Sequence, residues 1–281
     1  MKKTRVAICY DFDGTLIPGI MQGYDFTRKI GLDVPTFLER INKIRDNTHT
    51  DDILAYMRLM LQEAAAKNIP FRKKELCECG KNLPLFPGVE TWFDRINKYG
   101  KKHGLTVEHY VISSGLTEII MGNPISKNFK HVYASSFMYD EKGDAVWPAM
   151  AINYTAKTQF IFRINKGCLN INDPEINAFI PDSKRYIPLS HMIYVGDGLT
   201  DVPCMRLVKN ENGHSIAVYE SDDAKAKKVA SQLLNEGRVN FTAKADYSPN
   251  SMMEKIVQTI LDKIKLDLNM ENLKKQCKTS K

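Results

Sequence analysis

The feature that most constrains the fold is an apolar segment that ends in two closely spaced carboxylates. Residues 4–10, with the apolar run VAICY, are typical of a short strand covered by helices on both faces. Asp11 follows at once and Asp13 comes two positions later, in the sequence DFDGT. Carboxylates at the end of a buried strand are unfavourable unless a cation or a reaction uses them. The segment therefore predicts a functional site at the carboxyl end of this strand.

The rest of the chain predicts strands that alternate with helices. Helical spacing runs from about residue 22 to 82, begins again after Pro87 and Gly88, and returns at 153–165 and near 250–266. The segments LTVEHYVISSG, YIPLSHMIYVGDG and HSIAVYE predict strands, and HVYASSFMYDEKGDAVWPAMAI predicts a strand pair that turns at Gly143. This alternation predicts an α/β fold with an open, mostly parallel sheet and helices on both faces.

Four segments carry side chains that could work together. Ligands bind beyond the carboxyl ends of the strands in such sheets, and several candidates follow predicted strands. The segments are DFDGT with Asp11 and Asp13, VISSG with Ser113 and Ser114, NYTAKTQF with Lys157, and GDGLTD with Asp197 and Asp201. One face of one sheet would gather these groups.

These residue types suit the transfer of a phosphoryl group. Carboxylates that repel one another are relieved by a hard divalent cation, and Mg²⁺ prefers oxygen ligands. A lysine and a serine hydroxyl would bind the remaining oxygens of a phosphoryl group. One carboxylate could serve as the nucleophile, and a second could exchange a proton with the leaving oxygen and with water.

The four segments, in this order, resemble the motifs of the haloacid dehalogenase superfamily of Asp-nucleophile phosphatases. DFDGT and GDGLTD carry most of the resemblance, because the serine and lysine segments are less specific. The resemblance covers residues 1–17 and about 85–265. It implies a Rossmann-like three-layer core and Mg²⁺-dependent hydrolysis of a phosphate monoester through an aspartyl-phosphate intermediate.

The resemblance also implies a role for each matched residue. Asp11 would be the nucleophile and Asp13 the general acid and base. Ser113, Ser114 and Lys157 would bind the phosphoryl group. The implied Mg²⁺ ligands are Asp11, Asp13 through its backbone carbonyl, Asp197, and Asp201 either through water or as the partner of Lys157.

The lysine is the least certain match, since Lys166 and Lys184 also lie between the serine segment and Asp197. Lys157 is favoured because it begins a helical stretch whose N-terminus would point toward an anion. Lys166 lies beside Gly167 near the end of that stretch, where an exposed lysine is common. Lys184 lies in the polar loop PDSKRY.

Three domains or segments are expected. Residues 1–17 and 85–265 form the Rossmann-like catalytic core. Residues 18–84 resemble the family's helical cap, which closes over the substrate and excludes water. Residues 266–281 form a basic C-terminal tail, for which a loose solvated end is the simplest interpretation.

Composition sets limits on partners and location. The net charge of +7 is spread along the chain and interleaved with acids, which favours a solvated surface over a nucleic-acid interface. Six scattered cysteines indicate neither a disulfide framework nor a zinc site. No apolar run approaches the roughly 18 residues that span a bilayer. We expect a cytoplasmic protein that acts on a small phosphorylated metabolite and touches no membrane; the oligomeric state is open.

Several functions fit these residues. A phosphomutase or phosphotransferase would use the same aspartyl-phosphate with an alcohol as the acceptor. A dehalogenase is disfavoured, because that reaction has no leaving oxygen for Asp13 to protonate. A non-catalytic regulator that binds a phosphorylated ligand would be expected to lack a motif carboxylate, and the sequence keeps them all. The basic tail leaves nucleic-acid binding as a remote alternative.

Overall fold

A computed structural model describes residues 4–279, so the outermost residues of the predicted core and tail, 1–3 and 280–281, lie outside the described residues. Seven strands form one sheet. They are β1 (Thr4–Tyr10), β2 (Leu105–Leu116), β3 (Phe129–Tyr139), β4 (Ala145–Met150), β5 (Met192–Gly196), β6 (His214–Tyr219) and β7 (Phe241–Lys244). The order is β4-β3-β2-β1-β5-β6-β7, and only β3 and β4 pair antiparallel. The predicted α/β fold with a mostly parallel sheet is confirmed.

Helices connect these strands. They are α1 (Asp25–Lys29), α2 (Val34–Thr48), α3 (Asp52–Ala66), α4 (Lys73–Gly80), α5 (Val89–Lys102), α6 (Thr117–Gly122), α7 (Thr158–Lys166), α8 (Val202–Asn210), α9 (Ala224–Asn235) and α10 (Met252–Thr279). Within residues 4–279, no helix combines the length and the apolar character that crossing a membrane requires.

The position of β1 decides where the site lies. Its residues are buried on both faces, with Ile8 in one apolar cluster and Cys9 in the other. It lies between β2 and β5, so the connections from the two halves of the sheet leave in opposite directions at its carboxyl end. A crevice forms at such a switch point. Asp11 follows β1 directly at this crevice.

The helices α1 to α4 form an insertion that packs against the sheet and α6. Asp33 caps α2, since its carboxylate accepts a hydrogen bond from the Thr36 amide, and Asp51 caps α3 in the same way. The last helix of the insertion, α4, lies against α6 at Gly80, where a Cβ atom would be 1.9 Å from the carbonyl oxygen of Ile119. A side chain at this position would force the two helices apart.

Two predicted boundaries differ from the structure. The strand predicted to terminate in Ser113-Ser114-Gly115 runs on through these residues to Leu116, with an irregular register against β3 after Ile112. The last helix, predicted to end near 266, continues to Thr279. Expecting a loose tail was therefore wrong for residues 266–279, because the helix continues through them. The side chains of residues 266–278 nevertheless lie mostly in solvent.

Candidate active site

Asp11 is held at the centre of the carboxyl edge. Its amide donates a hydrogen bond to the carbonyl of Val195 at 2.9 Å, which continues the pairing of β1 with β5 beyond the strand. Its Oδ1 accepts a hydrogen bond from the Phe12 amide at 2.8 Å. The carboxylate is almost wholly buried. Backbone pairing and this short-range hydrogen bond thus fix the orientation of the carboxylate.

Lys157 is a fully buried cation between two carboxylates. Its Nζ lies 3.1 Å from Oδ2 of Asp11 and 2.7 Å from Oδ1 of Asp201, and its side chain has 0% exposure. Burial alone would lower the pKa of Lys157, but Asp11 and Asp201 outweigh burial and raise it above its ordinary value. The ammonium is therefore charged at neutral pH.

The other two candidate lysines lie elsewhere. The Nζ of Lys166 donates hydrogen bonds to the carbonyls of Ile176 and Ala178. Lys184 is exposed in a short 3-10 turn. Lys157 ends the 3-10 turn that leads into α7, as its predicted place at the start of a helical stretch requires. Of the three, Lys157 alone is recorded in ion pairs with the predicted aspartates.

Tyr194 is a site residue that the sequence did not reveal. Its hydroxyl donates a hydrogen bond to Oδ1 of Asp201 at 2.8 Å, the oxygen that also accepts from Lys157. Tyr194 lies in a wholly buried strand, where a tyrosine is read as core. The structure thus places Asp201 as the partner of Lys157, which is one of the two alternatives left open by the sequence.

Asp11, Asp197 and Asp201 form an acidic cluster. Each offers one carboxylate oxygen, and these oxygens lie within 4.8 Å of one another. Burial, then Asp201 and Asp11, raise the pKa of Asp197 well above its ordinary value, because like charges crowd together away from water. Three carboxylates face one ammonium here, so a divalent cation would balance the charge. Oxygen donors in this number suit Mg²⁺.

Gly14 is required for this close packing. It has φ of +66°, and a Cβ atom there would lie 2.3 Å from Oδ2 of Asp197. The glycine of DFDGT therefore provides both the left-handed turn and the space in which the carboxylate of Asp197 lies. Gly14 thus allows the DFDGT and GDGLTD segments, which are distant in the sequence, to pack against each other.

Asp13 stands apart from the acidic cluster. Its Oδ1 accepts a hydrogen bond from the Met21 amide at 2.9 Å. Burial and then the charge of Asp11 raise the pKa of Asp13 to about 8. A carboxyl whose pKa lies near neutrality can both donate and accept a proton. Its side chain is absent from the group of clustered carboxylates found among residues 4–279.

The serine segment lines the same crevice. Ser113 is fully buried, and its Oγ accepts a hydrogen bond from the Gly115 amide at 3.0 Å. The Oγ of Ser114 is buried without a hydrogen-bond partner in the described part of the chain. Its carbonyl accepts a hydrogen bond from Tyr56 of α3 at 2.8 Å. This contact joins the serine segment to the helical insertion.

Two cavities meet at Asp13. One, of about 300 Å³, is lined by Asp11, Asp197, both serines of the VISSG segment and residues at the start of α3. The other, of about 350 Å³, lies between Asp13 and the helices α2 and α3. Asp13, Ser114 and Asp52 line both cavities. The second cavity could not be predicted from the sequence, since the apolar residues that line it from α2 and α3 have the spacing of core residues.

The family follows from a direct match. A model of the haloacid dehalogenase-like hydrolases matches residues 8–206, which is more than half of the chain and includes all four motifs. The chain belongs to the haloacid dehalogenase-like hydrolases. The resemblance inferred from the four segments is thereby confirmed at the level of the family.

Similar proteins cover most of the chain. An uncharacterized protein of Borreliella burgdorferi is 29% identical to this chain over an alignment of 299 residues, gaps included. The alignment covers 95% of this chain and 99% of that protein. A family hydrolase from Salmonella enterica serovar Typhi has a TM-score of 0.57 and 14% identity, over 90% of this chain and 70% of that one.

Two further solved structures share the fold. A substrate-bound phosphoserine phosphatase complex has a TM-score of 0.52 and 14% identity, covering 86% of this chain and 93% of that one. A probable phosphoserine phosphatase from Vibrio cholerae has a TM-score of 0.56 and 12% identity, covering 94% of this chain and 67% of that one. At such identities the likeness shows a shared fold.

Proposed function

We propose that this hydrolase is a Mg²⁺-dependent phosphatase that cleaves a small phosphate monoester through an aspartyl-phosphate on Asp11. The observation that carries the proposal is the buried Lys157, whose Nζ lies within 3.1 Å of carboxylate oxygens of both Asp11 and Asp201. A fixed cation beside a fixed carboxylate is what the transfer of an anionic group to that carboxylate requires.

The acidic cluster is the proposed Mg²⁺ site. Asp11, Asp197 and the backbone carbonyl of Asp13 would hold the ion, and Asp201 would act through water or through Lys157. When bound, the ion would offset negative charge on the phosphoryl group and on the cluster. The raised pKa of Asp197 supports this proposal, because a carboxyl that resists ionisation without a cation is stabilised by one.

Asp11 is the proposed nucleophile. One of its carboxylate oxygens would attack phosphorus as the bond from phosphorus to the alcohol oxygen breaks, so that the electron pair leaves with that oxygen. Ser113, Ser114 and Lys157 would bind the phosphoryl oxygens. The unpartnered Oγ of Ser114 supports this role, since a phosphoryl oxygen would satisfy it.

Asp13 is the proposed general acid and base. Protonated at neutral pH, it would give its proton to the departing alcohol oxygen. The resulting carboxylate would then take a proton from the water that attacks the aspartyl-phosphate, which releases phosphate and restores Asp11. Its place on the wall shared by the two cavities suits this role, because the leaving group would lie on the far side of Asp13 from the acidic cluster.

Residues 18–84 are the proposed cap over the core of 1–17 and 85–265. The cavity beneath α2 and α3 would hold the leaving group, and its volume of about 350 Å³ suits a small metabolite. Its lining combines apolar side chains with an ion pair between Arg45 and Asp52 at 3.1 Å. One structural neighbour is a substrate-bound phosphoserine phosphatase, and phosphoserine is a small phosphorylated compound, which supports a small phosphorylated substrate here.

The test is hydrolysis of a panel of phosphorylated metabolites by the full chain, with Mg²⁺ and with EDTA. We expect the wild type to release phosphate only with the metal, and Asp11→Asn to lose nearly all turnover. Asp94→Asn, an exposed aspartate on α5, is the matched control and should retain full turnover. Activity of the Asp11 variant above a few per cent would contradict the proposal.

The same assay separates the main alternative. A phosphotransferase or phosphomutase would form a phosphorylated alcohol product when an acceptor is added, whereas a phosphatase yields free phosphate and alcohol in equal amounts. A non-catalytic regulator would bind substrates without turnover. The cytoplasmic location stays a prediction from the sequence.

A further inference from the structure

The second half of α10 has an apolar stripe on the side that faces away from the core. In its first half, Val257, Leu261 and Ile264 are buried, and Leu268 is the last apolar residue packed against the core cluster. Leu266, Met270 and Leu273 instead have 60%, 49% and 60% exposure. At about 100° per residue, this second stripe lies on the side of the helix roughly opposite Leu268.

The stripe has the spacing of a coiled-coil seam. Leu266, Met270, Leu273 and Cys277 follow one another at intervals of four, three and four residues. All side chains from Asn269 to Lys278 are exposed, so this part of α10 extends beyond the body of the protein. Isolated helices of this length are marginal in water, and packing of an apolar face is what usually stabilises them. The geometry therefore calls for a partner on the stripe.

We propose that this partner is a second copy of the chain, and that the two stripes pack as a short antiparallel coiled coil. In an antiparallel pair the same flank of each helix faces its counterpart. Asp267, which also pairs with Lys263 of its own helix at 2.6 Å, and Lys274 lie on one flank of the stripe. Asp267 of each copy would therefore lie against Lys274 of the other, and the dimer would contain two such pairs.

A parallel pair would have the opposite electrostatics. There, residues on one flank face the other flank of the second copy at an offset of five, which would leave Lys274 against the uncharged Asn269. The same offset would put Asp267 against Asp262, which lies just before the stripe and accepts hydrogen bonds from Tyr99. Like charges at this position are unfavourable, so charge complementarity selects the antiparallel arrangement. In that arrangement Met270 packs against Leu273, and Cys277 against Leu266, of the second copy.

The interface is small, since it consists of four layers. We therefore expect a weak dimer whose mass depends on concentration rather than an obligate one. Sedimentation velocity of the full chain should show the 32.0 kDa monomer at about 5 μM and a growing share of dimer at about 500 μM. Leu273→Lys should abolish the dimer while phosphatase activity persists.

Charge exchange tests the proposed pairing. Asp267→Lys and Lys274→Asp should each weaken dimerisation about tenfold, because two attractive pairs become repulsive. The double variant D267K/K274D should restore wild-type affinity. Lys275→Asp carries the same charge change as Lys274→Asp but lies on the opposite side of the helix, so it serves as the control and should dimerise as the wild type does.

Oxidation of Cys277 tests whether the two helices pack antiparallel or parallel. An antiparallel pair separates the two Cys277 thiols, so a mild oxidant should form no disulfide between copies. A monomer at every concentration would overturn the proposal, as would failure of the double variant to recover. A covalent dimer that disappears in Cys277→Ser would replace it with a parallel pair.

Discussion

Replacing Lys157 with methionine is the most informative single perturbation of this protein. The side chain keeps most of its volume, so the substitution removes a buried charge and leaves packing nearly intact. The ammonium lies 3.1 Å from Asp11 and 2.7 Å from Asp201, with no exposure to solvent. Removing one partner of a buried ion pair costs about 3–5 kcal/mol, because the remaining charge has no counterion.

This loss is measurable as a fall in melting temperature. For a chain of this size, 1 kcal/mol shifts the melting temperature by about 2–4 °C, so we expect Lys157→Met to melt about 6–20 °C below wild type in EDTA. Lys166→Met is the matched control, since it removes a lysine from α7 that is bonded only to backbone carbonyls in the contacts described. The melting temperature of Lys166→Met should fall by no more than a few degrees. Turnover with Mg²⁺ should fall about 10²- to 10³-fold in Lys157→Met alone.

The difference in stability between Lys157→Met and the wild type should change with pH in a defined direction. Burial and Asp201 raise the pKa of Asp11, whereas Lys157 opposes this shift. In Lys157→Met the pKa of Asp11 therefore rises further. A carboxyl whose folded pKa is raised stabilises the fold below its unfolded pKa, and that stability is lost as pH rises through the folded value. The difference in melting temperature between Lys157→Met and the wild type should hence be larger at pH 8 than at pH 5.

A second substitution isolates the charge. Asp201→Asn keeps an oxygen that can accept the hydrogen bond from Tyr194 and removes one of the two carboxylates. Added to Lys157→Met, it should recover part of the lost stability, although it should not restore turnover. The reasoning is refuted if Lys157→Met melts and turns over like Lys166→Met, since Lys157 would then be neither a counterion nor part of the site.

Three further predictions concern neighbouring residues. Asp13→Ala should slow hydrolysis of alkyl phosphates about 10²- to 10⁴-fold and that of p-nitrophenyl phosphate much less, because a good leaving group needs no proton; equal losses would exclude Asp13 as the acid. Hydrogen exchange in α2 and α3 should slow when Mg²⁺ and a phosphate mimic bind. The control is α4, which packs closely against α6 at Gly80 and should stay protected throughout. No change in α2 and α3 would mean that the insertion does not move on binding. Arg45→Met should raise KM for the preferred substrate with little effect on the release of phosphate from p-nitrophenyl phosphate, and a loss with both substrates would place Arg45 outside leaving-group recognition.

Two features could be predicted from the sequence alone: the family and the approximate place of the candidate site in the fold. An apolar run that stops at Asp11 marks a strand end, and the motif glycine at Gly14 marks a turn, because both signals come from adjacent residues. The order of the four motifs was also sufficient to identify the family. Local patterns of this kind survive folding, since burial and turn geometry act over a few residues at a time.

Contacts between side chains that are far apart in the sequence became visible in the three-dimensional fold. The contact of Lys157 with Asp201 joins residues 44 positions apart, and it depends on how the turn before α7 packs against the turn between β5 and α8. Tyr194 gave no sign of its hydrogen bond to Asp201, because a buried strand residue reads as core whatever its hydroxyl contacts. The same holds for the cavity beneath α2 and α3, whose walls come from helices and loops that the sequence separates.

The end of the chain shows the limit most clearly. Residues beyond 266 lack the inward-facing stripe of the first half of α10, so their composition predicts a loose basic tail. The structure continues the helix to Thr279. Leu268 still packs against the core, whereas Leu266, Met270 and Leu273 lie on the outer side. A sequence pattern fixes the phase of a stripe on a helix, but which side faces the core depends on where the rest of the molecule lies.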